Sequence, residues 1–142
     1  DESIFLRQKE LRNCDRETCC ALHLNAKGKP LSMRVVSIGE LNSTLVHPRE
    51  VFKASILSNA SAVIFMHNHP SGELTPSEED KKATKRLEMA GQILGIPVVD
   101  HIIVGENKEN YYSFHANDIL NPDEEKQKRK QKKKKHKEQE VR

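Results

Sequence analysis

Large aromatic side chains and long apolar runs are scarce in this chain of 142 residues. There is no Trp, aromatic residues make up only 4%, and hydrophobic residues reach 35% against 32% charged. No apolar stretch approaches the roughly 20 residues that a membrane-spanning helix requires. A chain of this size has room for one ordinary core, and its polarity places part of the sequence outside that core. We therefore expect one domain and no membrane association.

Cysteine is also sparse, and its arrangement excludes two classes of small domain. The sequence has three Cys, of which Cys19 and Cys20 are adjacent. An odd number without C-x-x-C spacing fits neither the disulfide framework of a small secreted domain nor a zinc knuckle. No cationic segment followed by an apolar run opens the sequence, so we predict no secretory signal. These features favour a reducing compartment, and we expect a cytoplasmic protein.

Positive charge is concentrated at the C-terminal end. The chain has 24 Lys and Arg and 21 Asp and Glu, of which residues 122–142 hold ten and five, leaving 14 basic and 16 acidic residues in 1–121. We predict a disordered basic tail over 122–142. Any contact of residues 126–137 with nucleic acid would be weak and non-specific, because this stretch has no aromatic residue and no phosphate-binding loop.

The apolar pattern predicts an α/β domain over residues 13–121, preceded by an N-terminal arm or short helix over 1–12. A hairpin should open the domain, and a short apolar strand should lie at the centre of its sheet. The second helix should begin at Thr75, with Pro76 in its first turn and Glu78 completing a capping box. The predicted elements are strands near 17–24, 31–38, 61–66, 98–104 and 111–114, a helix over 47–59 with apolar positions Val51, Ala54, Ile56 and Leu57, and a helix ending before Gly95 with apolar positions Ala83, Leu87, Ala90, Ile93 and Leu94.

A group of polar residues around the central strand predicts a metal site. His67 and His69 are two residues apart in an extended segment, so their side chains point to the same side. Asp80 follows on the second helix, one turn after Ser77 and on the same face. Two imidazoles and a carboxylate can hold Zn²⁺ and leave a fourth position for water, which is the arrangement of a catalytic site. We therefore predict His67, His69 and Asp80 as zinc ligands.

Hydrolysis by such a site also needs a proton shuttle and support for the developing negative charge. Glu17, at the head of the first strand, is the candidate shuttle, with Glu50 at the start of the first helix as the alternative. The hydroxyl of Ser77 is the candidate donor to the oxyanion. Either Asp100 or His101 could orient a ligand histidine, although a surface pair at the start of a strand is the other interpretation.

These residues resemble a known family. Glu17, followed by His67-x-His69-x7-Ser77-x2-Asp80, resembles the JAMM (JAB/MPN-type) metalloprotease motif, and the segments 67–72 and 100–105 are similar to the RadC branch. The resemblance implies a three-layer α/β/α sandwich of the JAB/MPN, cytidine-deaminase-like type with a mixed sheet. It also implies that His67, His69 and Asp80 are zinc ligands, that Glu17 is the acid/base and that Ser77 supports the oxyanion.

Two classes of function follow from this interpretation. The first is a zinc metallopeptidase that hydrolyses a peptide or isopeptide bond in a peptide or protein substrate. The second is a DNA repair-associated or nucleic-acid accessory protein of the RadC family, whose basic tail contacts DNA. The helix-hairpin-helix region that would support DNA binding in longer RadC forms is not found in this sequence. Substrate identity and oligomeric state stay open.

Overall fold

The computed structural model describes residues 8–39, 41, 46–107, 109–117, 119–120, 132 and 134–135. Residues 8–12, 132 and 134–135 are helical, and the other described elements form a sheet and two helices. In chain order they are β1 (Thr18–Leu24), β2 (Pro30–Ile38), α1 (Pro48–Leu57), β3 (Ala62–Asn68), α2 (Glu78–Leu94), β4 (Val98–Val104) and β5 (Tyr111–Ser113). Residues 1–7 and nearly all of the predicted tail, 122–142, lie outside the described residues.

The strands form one mixed sheet with the order β2-β1-β3-β4-β5. β3 and β4 are parallel and are joined by α2, whereas the other neighbouring pairs are antiparallel. A parallel pair needs such a crossover, while β1 and β2 are joined by the short turn over residues 25–29. The predicted hairpin and the predicted central strand, here β3, are confirmed. The mixed α/β fold predicted from the sequence is therefore confirmed.

Apolar side chains cover both faces of the sheet. β1 is buried along its whole length, and its alternate residues point to opposite faces. Cys19 and Ala21 belong to a core shared with α1 and α2. Cys20 and Leu22 belong to a second core on the opposite face, where Leu11 from the helical residues 8–12 packs against them. The sheet thus lies between two layers of helix.

The end of α2 differs from the prediction. Ile93 and Leu94 belong to the predicted apolar positions of this helix but are 75% and 48% exposed. The buried face of the helix ends at Gly91, the chain turns through the left-handed Gly95, and Ile96 enters the core instead. A Cβ at Gly91 would lie 2.4 Å from the carbonyl oxygen of Ile96. The close return of the chain therefore requires glycine at this position.

Helix α1 begins as predicted, with His47 as N-cap and Pro48 in the first turn. Its buried face includes Phe52, which is 1% exposed and lies outside the predicted apolar stripe. Because that face points to the sheet, Ile56 and Leu57 lie on the solvent side, although they belong to the predicted apolar positions. Within the described part of the chain, no helix has both the length and the apolar character that a membrane crossing needs.

Candidate metal centre

Two neighbouring strands bring Glu17, His67 and His69 together. Glu17 immediately precedes β1, His67 lies near the end of β3, and His69 follows that strand. The antiparallel register pairs Cys19 with His67. Glu17 is two residues before Cys19 and His69 is two residues after His67, so the register carries them to the same end and face of the sheet.

Asp80 reaches the same point from the first turn of α2. The N-cap of this helix is Ser77 and not the predicted Thr75, which instead donates to the Glu73 carboxylate at 2.8 Å. Ser77 Oγ accepts from the Asp80 N–H (3.0 Å), and Asp80 Oδ2 accepts from the Ser77 N–H (2.9 Å). Asp80 therefore closes the capping box that the prediction assigned to Glu78. The helix start thus holds the Asp80 carboxylate in one orientation.

Four donor atoms, one each from Glu17, His67, His69 and Asp80, all lie within 4.8 Å of one another. The two histidine Nε2 atoms are 2.8 Å apart, and they lie 3.5 and 3.4 Å from Asp80 Oδ2. Ligands placed at about 2.0–2.1 Å in a tetrahedron around Zn²⁺ lie about 3.3–3.4 Å from one another. Two of the three separations match this spacing. The nitrogen and oxygen donors therefore fit a small divalent cation.

The structure brings Glu17, and not Glu50, to this cluster. Glu17 Oε1 lies 3.4 Å from His69 Nε2 and 3.8 Å from His67 Nε2, and the side chain is 20% exposed. Glu50 is exposed and lies 3.8 Å from Arg49 at the start of α1. Of the two carboxylates considered from the sequence, only Glu17 can reach a group held by the histidines.

The electrostatics of the cluster favour positive charge between its members. Burial alone would raise the pKa of the Asp80 carboxyl, but the adjacent His67 and His69 rings outweigh burial and hold that pKa well below its usual value. The pKa of His69 is raised, chiefly by the Asp80 carboxylate. Both shifts have the same cause, which is hydrogen bonding and charge attraction between the Asp80 carboxylate and the imidazole rings.

The proton position on His69 follows from its second ring nitrogen. His69 Nδ1 lies 2.6 Å from the backbone carbonyl oxygen of Glu73. A carbonyl can only accept, so Nδ1 carries a proton, and the neutral ring that a metal ion requires presents the Nε2 lone pair to the cluster. Metal-binding histidines commonly have this arrangement, in which one nitrogen donates to the protein and the other binds the ion.

Asp100 and His101 were both considered for orienting one of the histidines of the cluster. His101 contacts His67, whereas Asp100 bonds to residues after β4. His101 Nε2 lies 2.6 Å from His67 Nδ1, and both rings are buried. Asp100 accepts from Ser113 Oγ at 2.7 Å and from the His115 N–H at 3.0 Å, so it holds the turn after β5. The surface interpretation is therefore wrong for His101.

Sequence reasoning missed two residues that support the cluster. Asn68 lies between His67 and His69; its Oδ1 accepts from the Thr18 N–H (2.7 Å), and its Nδ2 donates to the carbonyls of Cys14 and Arg16. These contacts hold the segment that carries Glu17. Thr84 contacts His101 at 2.6 Å from one turn beyond Asp80. The i, i+4 spacing from Asp80 was the available signal for Thr84.

The cluster opens into a pocket of about 560 Å³. Its lining includes four carboxylates and no Lys or Arg among the described residues; the carboxylates belong to Glu17, Glu73, Glu79 and Asp80. Ser77 also lines this space. A partly buried group of donors that faces an open, negatively charged pocket has room for a substrate beside it.

Comparison with known proteins gives consistent matches. The family model described as RadC-like JAB domain matches residues 2–119. The chain is 54% identical over 103 residues to a UPF0758 protein of Desulforamulus reducens, covering 72% of this chain and 45% of the relative. It is 47% identical over 120 residues to a UPF0758 protein of Caldanaerobacter subterraneus subsp. tengcongensis, covering 80% and 52%. A UPF0758 protein of Clostridioides difficile is 51% identical over 110 residues, covering 78% and 46%.

The chain spans about half the length of the curated relatives it matches. The family match includes every strand of the described sheet and all four members of the donor cluster. The chain therefore belongs to the RadC-like JAB domain family.

Proposed function

We propose that this protein is a zinc-dependent hydrolase of the JAMM metalloprotease type, which cleaves a peptide or isopeptide bond in a peptide or protein substrate. The observation that carries the proposal is the convergence of His67 Nε2, His69 Nε2 and Asp80 Oδ2 beside the Glu17 carboxylate, at the base of an open pocket. When bound by these residues, zinc would supply a Lewis acid that acidifies water and polarises a carbonyl group.

The Glu17 carboxylate is suited to moving a proton during amide hydrolysis. It faces the same space as the ligand nitrogens and is partly open to the pocket. In the proposed reaction Glu17 takes a proton from the attacking water as the oxygen bonds to the carbonyl carbon. It then gives that proton to the nitrogen that leaves as the C–N bond breaks, which regenerates the carboxylate.

Ser77 is the proposed donor to the substrate oxygen. Its Oγ accepts from the Asp80 N–H, so this contact does not use the hydroxyl proton. The residue lines the pocket from the start of α2, where the positive end of the helix dipole also favours negative charge.

The competing function is that of a nucleic-acid accessory protein acting through residues 126–137. The lining of the pocket argues against a phosphodiester substrate, because four carboxylates and no described basic side chain would face a polyanion. Nucleic-acid binding by the tail would be independent of the metal centre.

Two matched variants separate the functions. The zinc-loaded chain would be incubated with a peptide library in ¹⁸O-labelled water, and new carboxyl termini would be identified by mass spectrometry. A hydrolase incorporates the label, loses cleavage on His69→Ala and keeps it when residues 122–142 are deleted. The proposal is wrong if no labelled terminus forms, or if His69→Ala cleaves as well as the wild type. Loss of nucleic-acid binding on tail deletion, without any amide cleavage by the full chain, would favour the accessory function.

A further inference from the structure

Three short contacts connect the ligand histidine of β3 to the backbone of α2. His67 Nδ1 lies 2.6 Å from His101 Nε2, and His101 Nδ1 lies 2.6 Å from Thr84 Oγ1. The Thr84 hydroxyl donates to the carbonyl oxygen of Asp80 at 2.7 Å. The side chains of His67, His101 and Thr84 are all at most 1% exposed. Water therefore does not compete for these hydrogen bonds, and their protons can be assigned by counting donors and acceptors.

The count starts at the Asp80 carbonyl, which can only accept. The single hydroxyl proton of Thr84 points to that carbonyl, so Thr84 Oγ1 offers His101 only a lone pair. His101 Nδ1 must then carry a proton, and a neutral imidazole has no second proton for Nε2. His101 Nε2 is an acceptor, and the donor opposite it is His67 Nδ1–H. His67 Nε2 is left without a proton.

The reverse direction leaves one contact without a proton. If His101 Nε2 donated to His67, Thr84 would have to donate to His101 Nδ1. The hydroxyl oxygen of Thr84 and the carbonyl oxygen of Asp80 would then be two acceptors 2.7 Å apart with no hydrogen between them. A doubly protonated His101 is disfavoured too, because the ring is only 1% exposed and an additional positive charge is costly to bury there.

The shape of the site also fixes the His101 ring. The ring stacks on Phe114, with centroids 4.4 Å apart and planes at 14°, and it meets Phe65 edge to face at 6.2 Å. A ring held on both sides in a close-packed interior cannot turn to exchange its nitrogens without displacing its neighbours. His101 therefore presents the same nitrogen to His67.

The consequence at the metal centre is a set of lone pairs with no shared proton. His69 donates Nδ1–H to the Glu73 carbonyl, so His67 Nε2 and His69 Nε2 both present lone pairs at a separation of 2.8 Å, beside the Asp80 carboxylate. Three electron-rich atoms at this spacing repel one another until a cation lies among them. We propose that His101 and Thr84 are positioning residues that hold His67 in its Nδ1–H tautomer and so prevent a His67–His69 hydrogen bond from competing with the metal.

This inference rests on the proposed metal centre, but it can be tested through zinc binding without any assay of cleavage. Thr84→Val removes the hydroxyl and nearly conserves the shape of the side chain. Loss of a group that orients a metal ligand typically weakens metal affinity by about 10- to 100-fold, and we expect a loss in this range for Thr84→Val. Thr84→Ser restores the hydroxyl and should return the zinc Kd to within about threefold of the wild type.

Ser55→Ala is the matched control. Ser55 Oγ lies 2.8 Å from His23 Nδ1, so it forms another buried hydroxyl–imidazole pair, on an imidazole outside the donor cluster. Its removal should leave the zinc Kd within about twofold of the wild type, because it orients no metal ligand. Competition with a chromogenic chelator gives Kd for each variant, and circular dichroism establishes that each variant is folded.

The tautomers of His67 and His101 can be measured directly, and they would not change in Thr84→Val if Thr84 had only a structural role. Long-range ¹H–¹⁵N spectra of the zinc-loaded wild type should show protonated Nδ1 and unprotonated Nε2 for both His67 and His101. In Thr84→Val, His101 should populate both tautomers. A His101 Nε2–H tautomer in the wild type, or an unchanged zinc Kd in folded Thr84→Val, would overturn the positioning role of His101 and Thr84. A wild type that binds no zinc would overturn both this positioning role and the proposed function. Zinc binding with the expected tautomers but without amide cleavage would contradict only the proposed function.

Discussion

Glu17 and His69 lie at the same end of two antiparallel strands, and the Glu17 carboxylate oxygen is 3.4 Å from His69 Nε2. One residue precedes β1 and the other follows β3, so they are more than fifty positions apart in sequence and become neighbours only through strand pairing. This relationship places a carboxylate beside the donor atoms that could hold a metal ion.

Replacing this carboxylate should separate catalysis from metal binding. Removal of a general acid/base typically costs about 10²- to 10⁴-fold in rate, and we expect Glu17→Gln to lose at least about 10²-fold in kcat while zinc content is unchanged. Glu50→Gln is the control, because Glu50 lies at the start of α1 beside Arg49. It should lose less than about tenfold. Steady-state cleavage of one peptide by both variants, with zinc measured in the same samples, checks the assignment, and equal losses would contradict it.

Ser77 should contribute to stability as well as to the site. Ser77→Ala removes the N-cap of α2 and should lower the free energy of unfolding by about 0.5–2 kcal/mol. Ser77→Gly should lower the free energy of unfolding by only about a few tenths of a kcal/mol, although it also lacks the hydroxyl. If Ser77 donates to the substrate oxygen, both variants lose kcat by a similar factor despite their different stabilities. Urea unfolding and cleavage assays distinguish the roles; a Gly variant with wild-type kcat would leave Ser77 as a cap alone.

Several parts of this arrangement could be predicted from the sequence because they depend on local periodicity. An apolar run predicts a buried central strand, and two-residue spacing places His67 and His69 on one side of it. The spacing of Ser77 and Asp80 predicts one helix face, and the structure brings Asp80 to the histidines.

The parts that were missed depend on contacts between distant segments. The sequence does not show which strand lies beside β3, so the hydrogen bonds between Asn68 and residues 14–18 could not be predicted. Thr84 looks like an ordinary helix residue until β4 places His101 against it. Ile93 and Leu94 continue a regular apolar stripe, but they are exposed because Ile96 returns to the core after the turn.

The return of the chain at Ile96 predicts that a side chain at Gly91 destabilises the fold. A Cβ there would lie 2.4 Å from the Ile96 carbonyl oxygen and 3.1 Å from the Phe52 ring. We expect Gly91→Ala to lower the free energy of unfolding by about 1–3 kcal/mol, because backbone must shift to admit the methyl group. Ile93→Ala, at a position 75% exposed, should change it by less than about 0.5 kcal/mol. Urea denaturation of both variants tests the expectation, and a neutral Gly91→Ala would contradict the close packing.

The buried His23 predicts a loss of stability in mild acid. Burial and the nearby Arg34 lower the pKa of His23 in the folded state. The unfolded chain then binds a proton first as the pH falls, so the stability present above about pH 6.5 decreases below it. His23→Phe should reduce this decrease between about pH 7.5 and pH 5. His47→Asn, at the exposed N-cap of α1, is the control and should keep the wild-type slope. Equal pH slopes for wild type and His23→Phe would contradict the prediction.

The central claim is that His67, His69 and Asp80 bind one zinc ion, and its most direct test is the metal content of the purified chain. After zinc supplementation and removal of free metal, elemental analysis should find about one zinc per wild-type chain, and a His67→Ala/His69→Ala double variant that remains folded should retain almost none. A folded wild type without stoichiometric zinc, or a double variant that binds as much zinc as the wild type, would contradict the account.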